Sequence, residues 1–235
     1  MLATDIRANL KTVPSGIVFN NIHLNASGGS LQMNGGIKRS HLINIINVNT
    51  TISKVNVRDF FDSFGLKELT DQNLKGLLSA ETNVTLNIND KAALIPQSLS
   101  GNVKVNLQNA ALINFKGLQG VIKYAFPFRN LKLINIPNLD ANFAVNGDKI
   151  EISPMQISSS VLNADVAGTY GLNGGTNLTF DVPLRNPKGD SSITDKTELL
   201  KKRYRGIVLH LRAKADENGK VKIGFNKDRK LKATN

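Results

Sequence analysis

Residues 139–184 read LDANFAVNGDKIEISPMQISSSVLNADVAGTYGLNGGTNLTFDVPL. Leu139, Ala141, Phe143 and Val145 alternate with polar residues, and Asn146-Gly147-Asp148 follows as a tight turn, because Asn and Gly tolerate positive φ. Ile150 and Ile152 resume the alternation, which Pro154 is expected to interrupt. Leu162, Ala164, Val166, Gly168 and Tyr170 make the next run. Asn173-Gly174-Gly175 turns the chain again, and Leu178, Phe180, Val182 and Leu184 complete the set. A period of two puts one face of each segment in apolar surroundings and the other in water. The unit is strand, turn, strand.

Working outward, the same unit recurs through most of the 235 residues. Towards the N-terminus, Thr4 to Val13 alternates weakly up to Pro14-Ser15-Gly16, and Ile17 to Leu24 leads into a Gly-Gly turn. Leu31, Met33 and Ile37 continue the pattern, and Leu42 to Val57 is a long Ile- and Val-rich run. Arg58 to Phe64 has Phe60, Phe61 and Phe64 at helical spacing, which predicts a short helix that plugs one end of a sheet. Strands are expected at Gly76 to Ile88, at Leu99 to Leu107 continuing through Ala110 to Phe115, and at Leu131 to Ile136, with a loop from Asn89 to Pro96. Phe115 to Phe128 reads equally as a short helix or a loop. A weak internal repeat sets Ile22-x-Leu24 and Leu31-x-Met33-x-Gly35 beside Met155-x-Ile157 and Leu162-x-Ala164-x-Val166-x-Gly168, a likeness that two alternating strands also reach by chance.

The expected fold is mainly β, a long curved antiparallel sheet or groove-like open β structure with a few short helices. Residues 1–184 form the sheet, with its short helix near 58–64. Residues 185–235 add a basic helix, Thr194 to Arg205 with Thr194 as its cap, and a last hairpin in the same domain. Aromatic residues are only 6% of the chain and Trp is absent, which fits a thin extended sheet better than a compact sandwich built on large aromatic anchors.

Composition narrows the chemistry. With no Cys, disulfides and thiol chemistry are excluded. The sequence has no run of about 18 apolar residues that would span a bilayer as a helix. The opening MLATDIRANL lacks a signal-peptide core and enters a strand pattern at once, so the chain is expected to be a piece of a longer protein. His23, His41 and His210 have no metal-like spacing and read as structural, and Asp59 and Asp62 read as helix surface. No metalloprotease, nucleophile-elbow, phosphate-loop or dinucleotide motif occurs, so neither catalysis, a cofactor nor a metal is expected.

Net charge is +12, unevenly spread: residues 185–235 hold 15 Lys and Arg against 6 Asp and Glu, whereas residues 1–184 hold 15 against 12. The basic end attracts phosphate, either on lipid headgroups or on an acidic partner. Its cations are not interleaved with aromatics and match no nucleic-acid module, so nucleic acid is not an expected partner. Arg212, Lys214, Lys220 and Lys222 are the candidate contacts with an anionic surface, on the polar side of the last hairpin.

One further pattern joins these pieces. VNVRDFF leads into a short helix, then LKGLLSAETNVTLNI, then FKGLQGVIKYAFPF, then the 139–184 unit and a basic end. Over about residues 17–215 this resembles the C-terminal region of AsmA-like proteins, relatives of TamB, in the style of the Bacteroides-group branch. The resemblance implies a periplasmic location and an inner-membrane anchor that would lie N-terminal to this piece. It also implies a curved sheet with an apolar groove, phospholipid or another acyl-chain lipid as ligand, and outer-membrane or other envelope proteins as partners. It carries no catalytic residue. An apolar face left open needs an occupant, and acyl chains supply one at roughly 0.8 kcal/mol per buried CH₂. The candidate lining residues are Leu31, Met33, Val103, Val105 and Phe143, with Leu162, Val166, Leu178 and Phe180, each of them equally readable as core. Two other classes remain open: a β-rich surface binding or adhesion module without a groove, and a polysaccharide-active enzyme with close carboxylates.

Overall fold

The computed structural model describes residues 3–40, 42–63, 74–113, 129, 132–187, 190–216 and 221–228. Twelve strands form one open antiparallel sheet in which every strand pairs with its neighbours in sequence. The first half contains β1 (Ala3–Val13), β2 (Gly16–Ala26), β3 (Gly29–Ser40), β4 (Ile43–Asn56), β5 (Leu74–Asn89) and β6 (Leu94–Ile113). The second contains β7 (Leu133–Asn146), β8 (Lys149–Ser158), β9 (Asn163–Gly171), β10 (Asn177–Pro183), β11 (Val208–Ala215) and β12 (Val221–Phe225). Short α1 (Val57–Ser63) follows β4, and α2 (Lys196–Arg203) lies between β10 and β11.

The order follows from the turns. Short links connect most neighbouring strands, with Gly or Asn at Gly28, Gly147 and Asn173-Gly174-Gly175, so sequence neighbours become ladder neighbours. The α1 helix starts because the Asn56 side chain accepts from the backbone N–H groups of Arg58 (3.0 Å) and Asp59 (3.3 Å). Register shifts within the β1–β2, β2–β3, β4–β5, β5–β6 and β8–β9 ladders insert extra residues and bend the strands.

Three expectations need correction. The loop foreseen from Asn89 to Pro96 is a tight turn: Asn89 Oδ1 accepts from Lys91 N (3.0 Å) and Ala93 N (2.9 Å), and β6 begins at Leu94. Pro96 falls between the register pairs Asn87–Ile95 and Thr85–Ser100, where the ladder is interrupted. Ser98 Oγ takes the Asn87 N–H there instead, at 2.7 Å. Of the two segments expected at Leu131–Ile136 and Leu139–Val145, residues 133–136 and 139–145 belong to one strand, β7, which runs through Pro137, and Leu131 lies outside the described residues. Pro154 does interrupt the alternation as expected, with a register shift between Ile152 and Met155, and β8 runs on past it. Finally, Asp195 rather than Thr194 caps α2, accepting from Thr197 N at 2.7 Å and Glu198 N at 3.3 Å. The ambiguous stretch at Phe115–Phe128 lies outside the described residues.

Both prolines sit beside a seam. β7 and β8 pair only from Phe143–Ile152 to Asn146–Lys149, then part. Pro137 and Pro154 lie on the parted stretches, where a missing N–H removes no bond between these two strands. The β8–β9 loop returns across the gap: Ser160 N donates to the Asn135 carbonyl at 2.9 Å, and Ser160 Oγ accepts from Asn135 N at 3.1 Å. The seam divides the buried core. One cluster runs from β2 to β7 and includes Val57 of α1, the other runs from β8 to β11, and Ile157 packs against both.

Candidate functional site

Directly opposed residues in an antiparallel ladder project to the same side of the sheet. Ile22, Met33, Thr50, Thr82, Val103 and Phe143 are opposed in succession from β2 to β7. The same line passes through Ile152, Gly168, Leu178 and Ala213 to Ile223 of β12. It crosses eleven strands without a slip, and ten inter-strand steps span roughly 48 Å.

Parallel rows flank it. Leu24, Leu31, Ile52, Ala80, Val105 and Ala141 form one. On the other side Phe19, Gly35, Val48, Val84, Gly101 and Val145 form a second, which continues through Ile150 to Tyr170. Enclosure changes along this apolar face. Towards α1 it closes: Leu31, Ile52 and Leu78 are buried and Val55 is 0% exposed. The middle row is half-buried at Met33, Val103, Phe143 and Leu178. At the two free edges apolar groups stand in solvent, Ile6 and Leu10 on β1 and Phe225, 73% exposed, on β12.

Every expected lining residue falls on this apolar side, but not in one environment. Met33, Val103, Phe143 and Leu178 form the half-buried middle row, and Val105 and Phe180 are half-buried beside it. Leu31 belongs to the first buried cluster, Leu162 and Val166 to the second. Sequence reading missed Ile22, Ile152, Ala213 and Ile223, which complete the row, because only register reveals who stands opposite whom.

The opposite side is polar. Asn34, Asn49, Asn83 and Asn102 make a row of amides across β3 to β6, in which Asn83 Nδ2 donates to Asn49 Oδ1 at 2.6 Å. Two shallow troughs of about 490 and 510 Å³ lie on this side, lined by amides, hydroxyls and a few charges and by no aromatic ring. Of their carboxylates, Asp140 accepts from Asn106 at 2.7 Å and from Asn138 at 2.8 Å, Glu81 opposes Lys104, and Glu151 opposes Ala144 and Thr169.

Beyond β8 the polar side becomes ionic. Gln156, Asp165, Asp181 and His210 are opposed in a row, so two carboxylates face each other across β9 and β10. Each has its own hydrogen-bond partner. His210 Nδ1 lies 2.7 Å from Asp181 Oδ1, the carboxylate accepting from the ring N–H. Arg203 of α2, 5% exposed, donates to Asp165 Oδ1 at 2.7 Å and to the carbonyls of Ile157 (3.1 Å) and Ala164 (3.0 Å). Tyr204 donates its phenol proton to Asp165 Oδ2, and burial followed by that bond pushes the phenol above its ordinary pKa. Arg185 binds both oxygens of Asp190 and holds that carboxyl below its usual range, against the opposing effect of burial. This ionic row therefore pins α2 to the sheet.

Arg212 and Lys214 share that side with His210, and Lys222 stands directly opposite Lys214. Arg212 is held by Asn177 Oδ1 at 2.7 Å and by Asp228. Lys220 lies outside the described residues. No group of three or more His, Asp or Glu is placed to hold a metal ion, and no helix is long and apolar enough to cross a membrane, both among the described residues. Compared with protein-family models, curated proteins and solved structures, the chain matches none of them.

Proposed function

We propose that this chain is a lipid-handling module of the AsmA-like kind, acting in the periplasm, with acyl chains lying on the apolar side of the sheet and headgroups kept in water. The observation that supports this most directly is the unbroken row from Ile22 to Ile223. A mainly apolar strip that crosses eleven strands, half-buried at Ile22, Met33, Val103, Phe143 and Leu178 and exposed at Ile223, is longer than either buried cluster.

The physics suits a chain ligand. Acyl groups need continuous apolar contact and no directional bonds, and a row at regular inter-strand spacing supplies that contact without a deep pocket. The closed end beside α1 and the open edges let a chain enter from an edge and run along the strip. No atom of this scheme requires a catalytic residue.

The test is lipid extraction from the purified protein followed by mass spectrometry, together with titration of a fluorescent fatty acid. Recovery of phospholipid and saturable binding at one set of sites is the expected outcome. Protein that folds, carries no lipid and binds no fatty acid would overturn the reading.

A further inference from the structure

The structure points to a second lipid contact, and we propose that the polar side of the C-terminal third is a docking surface for an anionic bilayer, centred on α2 and the β11–β12 hairpin. It goes beyond the acyl-chain reading, because it lies on the opposite side of the sheet and needs no chain in the groove.

Three observations carry it. First, Lys214 and Lys222 are register partners, and like charges directly opposed across a ladder destabilise it. Lys222 finds Asp216 at 3.0 Å, but Lys214 forms no ion pair among the described residues. Exposed Lys196, Lys201 and Arg205 on and just after α2 are in the same position. An external layer of negative charge relieves this repulsion.

Second, these cations are gathered on one side. Arg203 seats α2 over Asp165, which is in the row that ends at His210 of β11. Arg212 and Lys214 follow His210 at two-residue steps, each roughly 6.8 Å along the strand. The helix and these strand residues thus lie on the same, polar side of the sheet. Acidic groups also border this surface: Asp195 is occupied as the cap of α2, Asp190 by Arg185 and Lys202, Asp216 by Lys222 and Asp228 by Arg212, and Glu198 lies in the first turn of α2.

Third, apolar groups are interleaved with the charges. Leu200 is 47% exposed and Tyr204, four residues on, is 41% exposed, with Lys201 and Arg205 immediately after each. The Tyr204 phenol is committed to Asp165, so the exposed Leu200 supplies the apolar contact. Lysine and arginine for phosphate, with a leucine for the headgroup boundary, is a composition that suits a bilayer interface. A polyanion such as nucleic acid would use the charges and leave the leucine without a role.

The test compares flotation of the whole chain with phosphatidylcholine vesicles and with vesicles that also contain phosphatidylglycerol. Binding is expected to the anionic vesicles alone and to weaken as salt is raised. The variant Lys201→Glu/Arg205→Glu/Lys214→Glu should lose at least about tenfold in vesicle binding. Leu200→Ser should lose a smaller factor, at an unchanged melting temperature. Fatty-acid titration should be the same in all variants, which separates this surface from the apolar groove. Equal binding to neutral vesicles, an unaffected triple variant, or tighter binding to a single-stranded oligonucleotide than to anionic vesicles would each overturn the proposal.

Discussion

Gly35 stands directly opposite Phe19 in the β2–β3 ladder, and a Cβ on Gly35 would come within 3.0 Å of the Phe19 ring and 2.0 Å of the Asn47 carbonyl oxygen. The second hairpin repeats the arrangement. Gly168 stands opposite Ile152, its φ is +128°, and a Cβ there would lie 2.3 Å from the Asn177 carbonyl oxygen. In both hairpins the residue facing the glycine is followed by a register shift, before Ile22 in one and Met155 in the other. The weak sequence repeat thus has a counterpart in the ladder: Met33 and Val166 hold the same place, two residues before the glycine. Both glycines let the backbone kink where the partner strand bulges.

Gly35→Ala is therefore expected to lower stability by about 1–3 kcal/mol, since either the β3–β4 ladder or the Phe19 ring must move. Gly224→Ala on β12, where a Cβ meets nothing within 4 Å, should change stability by less than about 0.5 kcal/mol. Urea unfolding of the two variants measures the contrast.

Arg203→Met should destabilise the C-terminal third by about 3 kcal/mol, because it leaves Asp165 beside Asp181 without its main cation and leaves two carbonyls unbonded. Adding Asp165→Asn should recover part of that loss. Unfolding midpoints of the single and double variants give the coupling.

Acid should loosen the segment before α2. Asp190 is held below the usual carboxyl range in the folded state, so its contribution is complete above the unfolded pKa and is lost as pH falls through the depressed folded value. Tyr204 has the opposite sign: its phenol is raised, so its contribution is present at neutral pH and is lost as pH rises past the ordinary tyrosine range. Unfolding followed against pH should lose its acid slope in part in Asp190→Asn and its alkaline slope in part in Tyr204→Phe.

Thr50 and Thr82 are opposed to each other within the apolar row and are both half-buried. Thr82→Val should tighten fatty-acid binding about threefold to fivefold by replacing a hydroxyl with a methyl against the chain. Thr82→Asp should abolish binding while circular dichroism shows the sheet intact. Titration of a fluorescent fatty acid reads both.

Alternation alone was enough to find most strands and to assign their sides. The central 139–184 unit, the short helix ahead of β5 and the apolar side of all nine candidate residues follow from periods of two and of 3.6, which are local properties of the chain. Pro96 and Pro137 misled, since a missing N–H breaks a strand only where a partner needs it, and there the ladder is interrupted or the strands have parted, whereas Pro154 interrupts the alternation as its sequence suggests.

The sequence by itself determined that this is a β protein with one apolar side, a basic end and glycine-containing turns, because each of these is written in residues near one another along the chain. Only the tertiary structure decided that Ile22 and Ile223 belong to one row, that Leu31 and Val166 are core while Met33 and Val103 border open space, and that Arg203 fastens α2 above Asp165. Those facts depend on register and on contacts between residues far apart in the chain, and a shift of one residue in any ladder would have reversed them.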